Sequence, residues 1–439
     1  MKRSITATIL LAIAFLGLSA QTAPSRSEII QAMECANDYF IAKYPDPGAV
    51  TFVKKYRPSN LWTRGVYFEG LSALMDLEAQ EGNKKKWKAY HKYIYDWGTA
   101  HKWTPRNGIT TRDADDYCCS QTYLDMYLTT DKYGKAGTLK ERIQPTIDCM
   151  DYLVSISDKS RADWTWIDAI QMGLPVMAKL ARIKHLEGDD AAAQKYLNQG
   201  WQMYICSRNE LAGGLYNTAD GLWWRDKDFV APYKEPNGED CYWSRGNGWV
   251  YAALVRTMDA MLMSKNTKAP QYKEPLDETE WTLLPVAKHF GDYKKDFIEM
   301  SEALLKCQRL DHFWNVSLHD KSNFGGKELT GTALFIYGMA WGVRHGILPA
   351  DKYTPVIIDT WNAMVEDCLH PNGFLGFVQG TGKEPKDSQP VGYSNEPDFD
   401  DFGLGCFLLA GSEVYRMNLN FGIKMRTVNL NRPLKRSSL

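Results

Sequence analysis

Six segments of this chain each open on a polar or charged residue and then run on as helical patterns that are small and apolar nearly all the way round. They are Arg64-Gly65-Val-Tyr-Phe-Glu-Gly70, Asp116-Tyr-Cys-Cys-Ser-Gln121, Asp168-Ala-Ile-Gln-Met-Gly173, Arg245-Gly-Asn-Gly248, Thr330-Gly-Thr332 and Asp401-Phe-Gly403-Leu-Gly405. A helix with no polar face has to be interior. Successive starts lie about 52, 52, 77, 85 and 71 residues apart, and each interval holds one helical hairpin and a loop. Helical periodicity predicts twelve helices, at about 26–44, 64–79, 86–101, 116–130, 138–156, 166–186, 190–207, 245–264, 290–309, 330–346, 351–368 and 402–417. Six inner and six outer helices in alternation describe an all-α (α/α)6 barrel whose inner N-termini gather at one mouth. An open solenoid would call for a fixed repeat, and none is present.

The remaining composition narrows the function. Lys and Arg total 52 against 53 Asp and Glu, a net charge of -1, and no basic run precedes the short Lys435-Arg436 tail, so nothing points to nucleic acid. Lys2-Arg3, an apolar stretch from Ile9 to Leu18 and then Ser19-Ala20-Gln21 form the pattern of a secretory signal. The expectation is a signal peptide over 1–20 with cleavage near Ala20, a single barrel domain over 21–439, and a secreted or periplasmic location. No later stretch approaches a membrane span. The nine cysteines are scattered without metal-type spacing and most read as small buried hydrophobes. The eight histidines are equally dispersed. No metal and no cofactor is expected.

Chemistry concentrates in Trp164-Thr-Trp166-Ile-Asp168, one carboxylate among indoles at the head of an amphipathic helix that contains Pro175. The indoles can desolvate the carboxyl and raise its pKa, while the helix N-terminus pulls the other way. Asp168 is the candidate general acid; the structural alternative is a charge complementing the helix dipole. The second carboxylate candidate is Asp116, within Asp113-Ala-Asp115-Asp116, at the equivalent place one hairpin earlier. Two carboxylates on neighbouring inner helices can face one bound sugar, although a cluster of aspartates can equally cap a helix. The third element is Trp243-Ser-Arg245-Gly246-Asn247-Gly248-Trp249. Its four-residue offset puts Arg245 and Trp249 on one helical face, where a guanidinium and an indole can hold an acidic sugar; an internal Arg–Trp stack is the alternative. Gly221-Leu-Trp-Trp224, His312-Phe-Trp314 and Gly373-Phe-Leu-Gly-Phe377 are expected to form short strands at the mouth, offering rings to a sugar or simply packing the loops.

Taken together, WSRGNGW at 243–249, DADDYCCSQTYLDMY at 113–127, WIDAIQMGLP at 166–175, ELTGTALFIYGMAWG at 328–342 and FLLAGSEVY at 407–415 resemble glycoside hydrolase family 105, the unsaturated rhamnogalacturonyl hydrolases, related to the unsaturated glucuronyl hydrolases of family 88. The motifs keep the family order over nearly the full chain. The resemblance implies an (α/α)6 barrel that removes a 4,5-unsaturated uronic acid from the non-reducing end of a lyase product. It implies that Asp168 protonates C4, that water adds at C5, and that the hemiketal opens and expels the aglycone. Asp116 falls on the second aspartate, and Arg245 and Trp249 fall on substrate contacts. Trp166, Trp224 and Arg225 join the expected substrate wall, the last two at a place where some relatives carry a histidine.

Other readings remain at this point: an unsaturated glucuronyl hydrolase acting on ulvan, arabinogalactan or glycosaminoglycan fragments, another (α/α)6 activity such as an endo-acting hydrolase using Asp115 with Asp116 or a sugar epimerase, or a non-catalytic glycan-binding protein. The expected partner is an oligosaccharide. Because no set of ligands has metal-type spacing, exhaustive dialysis against a chelator is expected to leave the hydrolytic rate unchanged; loss of activity restored by one divalent ion would contradict this.

Overall fold

A computed structural model describes residues 23–129, 140–265 and 281–417 of the chain, and the expected signal segment and the Lys435-Arg436 tail lie outside them. All twelve predicted helices are present. The inner set is Trp62–Glu81, Ser120–Leu128 with a preceding turn Ala114–Tyr117, Asp168–Leu186, Ser244–Ala260, Leu329–Arg344 and Asp401–Arg416. Each packs on the next, and Asp401–Arg416 returns to pack on Trp62–Glu81, so the ring is closed. The outer helices Lys84–Ala100, Asp190–Ile205, Phe290–Cys307 and Ala350–Cys368 lie on their inner partners. The first helix, Arg26–Lys43, covers the last inner one, and Gln144–Ser155 packs against Asp190–Ile205. Two elements differ from expectation: the helix predicted at 116–130 is broken at Cys118-Cys119, which separate the Asp115 turn from the longer helix, and the one predicted at 245–264 stops at Ala260, with Leu262–Ser264 forming a short strand instead.

Closure depends on backbones coming very near one another. A Cβ placed on Gly405 would lie 2.4 Å from the Val66 carbonyl oxygen, and one on Gly70 would lie 2.6 Å from the Gly405 carbonyl oxygen. Glycine is required here for want of space, not for an unusual φ. Gly246 and Gly248 serve the same purpose: their missing Cβ positions are filled by Trp243 at 2.9 Å and Leu334 at 2.9 Å, so they admit neighbouring protein.

The three short strand pairs are Thr51–Phe52 with Tyr56–Arg57, Tyr216–Asn217 with Leu222–Trp223, and Leu262–Ser264 with Trp281–Leu283. Of the expected aromatic loops, the one at 221–224 forms a true strand, while those at Trp314 and Leu375 make single bridges to Glu328 and Leu369. Trp223 and Trp314 are fully buried, so these rings pack the loops. All nine cysteines are unbonded, eight of them buried. No described helix is long and apolar enough to cross a membrane.

Gly405→Ala is expected to lower stability by about 1–3 kcal/mol, the cost of overpacking against backbone that cannot retreat. Gly291→Ala, where a Cβ meets nothing within 4 Å in the first turn of a helix, should be neutral or slightly stabilising. Thermal melts of the two variants side by side check the contrast.

Candidate active site

The inner helix N-termini open onto a cavity of about 230 Å³, lined by Arg57, Trp62, Asp115, Trp166, Asp168 and Arg225 together with Arg245, Met172 and Thr381. That is smaller than the roughly 300–1,000 Å³ of pockets for drug-sized ligands and leaves room for about one sugar ring.

Asp168 is the first residue of its helix, and Arg225 donates from Nε to its Oδ2 at 3.2 Å. Arg225 arrives there because of backbone pairing: the Ile167 amide donates to the Arg225 carbonyl at 3.0 Å, and Trp166 bridges to Asp226. The other end of the Arg225 guanidinium is held by Asp226 at 2.6 Å. Burial pushes the Asp168 carboxyl above its ordinary value, and the positive charges of Arg225 and Arg245 oppose that shift.

The second carboxyl in the cavity belongs to Asp115, and this corrects the expectation for Asp116. Asp116 is buried and turned into the preceding loop, where it accepts from Arg106 at 2.8 Å, Asn107 at 2.9 Å and Thr111 at 2.7 Å. Asp115, its neighbour, lines the cavity with Asp168. Burial first, then the charges of Asp113, Asp168 and Asp116, push the Asp115 carboxyl up to about 7. One residue along a helical turn is a rotation of about 100°, which is why only one of the two can face inward.

Trp249 is a second correction. It is fully buried and meets Trp62 edge-on, ring centroids 6.0 Å apart; Trp62, not Trp249, presents a ring to the cavity. Arg245 does line the cavity, but its two terminal nitrogens donate to the carbonyls of Gln379 at 2.6 Å and Gly380 at 2.7 Å. Its plane lies over Trp243 and Phe402. Arg245 therefore holds the rim loop that carries Thr381 and Gly382. Trp166 and Arg225 stand in the cavity wall as expected, whereas Trp224 lies outside it, packed on Tyr242. Trp164 is buried under the helix with its Nε1 on the Tyr117 hydroxyl at 2.8 Å.

Two positioning residues escaped the sequence reading. Asn247 accepts from the Trp223 amide at 2.8 Å and donates to the Trp223 carbonyl at 3.0 Å, acting as an extra strand partner for the segment that ends in Arg225. Gln379 accepts from Trp243 at 3.0 Å and donates to carbonyls of the rim loop, including Asp387 at 2.8 Å. An Asn between two glycines in the 243–249 motif was the available signal for the first; Gln379 had none.

A closed ring of six helical hairpins with two carboxyls and three guanidiniums lining a one-ring cavity makes this a protein of the (α/α)6-barrel class. A family profile described as Glycosyl Hydrolase Family 88 matches residues 32–418, and the chain belongs to that family. It is a glycoside hydrolase acting on an oligosaccharide. It is 28% identical over 378 residues to an unsaturated 3S-rhamnoglycuronyl hydrolase of Formosa agariphila, covering 81% of this chain and 84% of the relative. A solved structure of a family 88 glycosyl hydrolase from Bacteroides vulgatus superposes with a TM-score of 0.69 at 26% identity, over 90% of this chain and 100% of that one. A possible family 105 member from Salmonella enterica shares the fold, with a TM-score of 0.61 at 16% identity over 90% of this chain and 96% of the other.

The two neighbouring aspartates should separate cleanly by substitution. Asp116→Ala strips three donors of their acceptor and should cost about 1.5–3 kcal/mol, the scale of hydrogen bonds to a charged group. Asp115→Asn should leave the melting temperature unchanged or raise it at pH 8, because above pH about 7 the buried carboxylate must ionise at a cost that the amide does not carry. Melting curves together with the hydrolytic rate check both: Asp115→Asn should be stable and slow.

Proposed function

We propose that this enzyme removes a 4,5-unsaturated uronic acid from the non-reducing end of lyase-generated oligosaccharides by hydrating the enol ether. The single observation that carries the reading is the pair Asp115 and Asp168 facing one ring-sized cavity, with one carboxyl pushed up to about 7 and the other raised beside a guanidinium. Such a pair titrates as a unit, so the proton that the raised carboxyls retain is shared between them and can be delivered from either. Asp168 gives that proton to C4, and Arg225 stabilises the carboxylate left behind. Positive charge develops at C5 and the ring oxygen. Asp115 orients the water that adds at C5 and takes up its proton, the part expected of Asp116. The hemiketal then opens to a ketone at C5 and a hemiacetal at C1, which releases the aglycone as an alcohol. One water is consumed, and no covalent sugar–enzyme intermediate is needed.

The double bond removes the C4 stereocentre, so galacturonate and glucuronate give the same ring atoms at C4 and C5. Discrimination must come from the anomeric linkage and the neighbouring sugar. The Formosa relative is named for a rhamnoglycuronyl unit, which supports a rhamnose next to the uronate, in rhamnogalacturonan or ulvan fragments. We propose export by the 1–20 signal, which would place the enzyme in the periplasm or outside the cell with such fragments; the N-terminal sequence of the mature protein tests it.

Lyase-cut pectin, ulvan and glycosaminoglycan fragments, incubated in parallel, should show loss of the enoate ultraviolet band for at least one rhamnose-containing set. Binding with the band intact throughout would overturn the enol-ether reading and leave a glycoside hydrolase of another specificity. Asp168→Asn should slow turnover by about two to four orders of magnitude. The wild-type rate should fall as pH rises past the upper titration of the pair, because the proton is then lost. Asp115→Asn removes a negative charge beside Asp168, lowers its pKa and should move that alkaline limb to lower pH. A limb that stays in place would sink the shared-proton pair.

A further inference from the structure

Three guanidiniums line the cavity, and two of them are already engaged. Arg225 is divided between Asp168 and Asp226, and Arg245 between two backbone carbonyls. The Arg57 guanidinium makes no hydrogen bond or ion pair with any described residue. It lies over the ring of Phe399, 4.1 Å below the guanidinium carbon. An arginine stacked in this way keeps its N–H edge free, and that edge matches the two oxygens of a carboxylate.

The direction of the side chain follows from the hairpin that bears it. Thr51 pairs with Arg57 and Phe52 with Tyr56, and side chains alternate between the two faces. Phe52 and Tyr56 are 55% and 78% exposed while Thr51 is buried, so the Thr51–Arg57 pair is the inward one. A two-stranded hairpin is marginal by itself. This one is anchored at its tip, where Lys54 donates to the Glu396 carbonyl at 2.7 Å and Lys55 lies 3.8 Å from Asp398. Asp398 in turn accepts from the Thr381 amide at 2.7 Å, which joins the hairpin to the opposite rim. Burial pulls the Arg57 pKa down, and the facing carboxylates Asp398, Asp401 and Asp115 only partly restore it.

We propose that Arg57 is a substrate-binding residue that takes the carboxylate of the uronate through its free guanidinium edge. The assignment rests on the unsaturated-uronide reading above. Among the cavity's cations it is the one whose guanidinium is wholly unbonded to the described residues, whereas Arg225 keeps only Nη2 and Arg245 only a buried Nε, and a ring-sized cavity that admits a uronate must answer its charge. Arg245, the arginine favoured by the sequence, is occupied with the rim loop.

The test compares an unsaturated uronide with its C6 carboxamide, which keeps shape and conjugation but has no charge. Wild type should prefer the acid. Arg57→Gln should raise KM for the acid, leave the amide nearly untouched, and so cut the acid-to-amide ratio of kcat/KM by about ten- to a hundred-fold. Arg57→Lys should recover part of the ratio. If Arg57→Gln slows both substrates equally, the residue is structural and the proposal is overturned. The proposal is also overturned if the ratio holds while preference for a sulfated over an unsulfated neighbouring sugar collapses, since the bound oxyanion would then be the sulfate. Should wild type turn over neither enoate, the proposed activity falls. Calorimetric binding of acid and amide to wild type and Arg57→Gln then still decides the role of Arg57: weaker acid binding by the variant supports it, and equal or absent binding overturns it.

Discussion

The cost of burying carboxyls where six inner helices converge is the constraint on which this active site depends. Asp168 sits in the first turn of an interior helix, where the dipole and Arg225 favour its ionised form while the surrounding protein disfavours it. Neither side wins outright: the carboxyl is raised, yet it keeps a cation in place to receive the negative charge left by proton transfer. Asp115 has no bonded counter-ion among the described residues, and burial with the neighbouring carboxylates pushes it up to about 7. A buried pair of this kind costs stability, and the cost is tolerated because the proton it stores is the reagent.

What holds that balance is largely backbone. Asn247 binds both the amide and the carbonyl of Trp223, the strand continues to Arg225, and the Arg225 carbonyl takes the Ile167 amide immediately before Asp168. The glycines beside Asn247 let its helix lie close to Ile167 and Leu334, so the motif at 243–249 works by proximity and by one amide side chain. Arg245 in the same motif turns the other way and clamps the rim through Gln379 and Gly380. The motif thus sets two walls of the cavity, one by carrying Arg225 to Asp168 and one by fixing the loop with Thr381.

Much of this was legible in the sequence. Small apolar helices in strict alternation have one economical packing, and the barrel follows from them; Asp168, Trp166 and Arg245 follow from their positions at or beside inner helix starts, and Arg225 from the family resemblance of the loop at 222–226. The choice between Asp115 and Asp116 was not legible. It is made by Arg106, Asn107 and Thr111, which collect on a loop where Asn107 and Gly108 take left-handed backbone conformations, and nothing in helical periodicity reveals which aspartate such a loop will capture. Trp249 failed for a similar reason. Helical spacing put it on the face of Arg245, but Trp62, from a different helix, stands between it and the cavity.

The orientation of the two carboxyls relative to each other is fixed below the cavity, within the barrel. Gln171, one turn beyond Asp168, donates to Glu69 at 2.9 Å, and its carbonyl accepts from Gln121 at 2.7 Å. The Gln121 side-chain oxygen accepts from Arg256 at 2.9 Å, and Arg256 also faces Glu69 at 3.4 Å. Four inner helices are therefore tied by one buried polar network, in which every lost partner leaves an unsatisfied group in a low-dielectric interior. An all-apolar axis would let the helix bearing Asp168 rotate or slide by small steps at little cost, as greasy surfaces do. A network of directional bonds permits few registers, and a turn of some tens of degrees in either helix would move Asp115 or Asp168 out of the cavity. The polar axis, which adds little stability when taken as buried ion pairs alone, is better understood as the device that keeps a proton donor and its partner facing the same sugar.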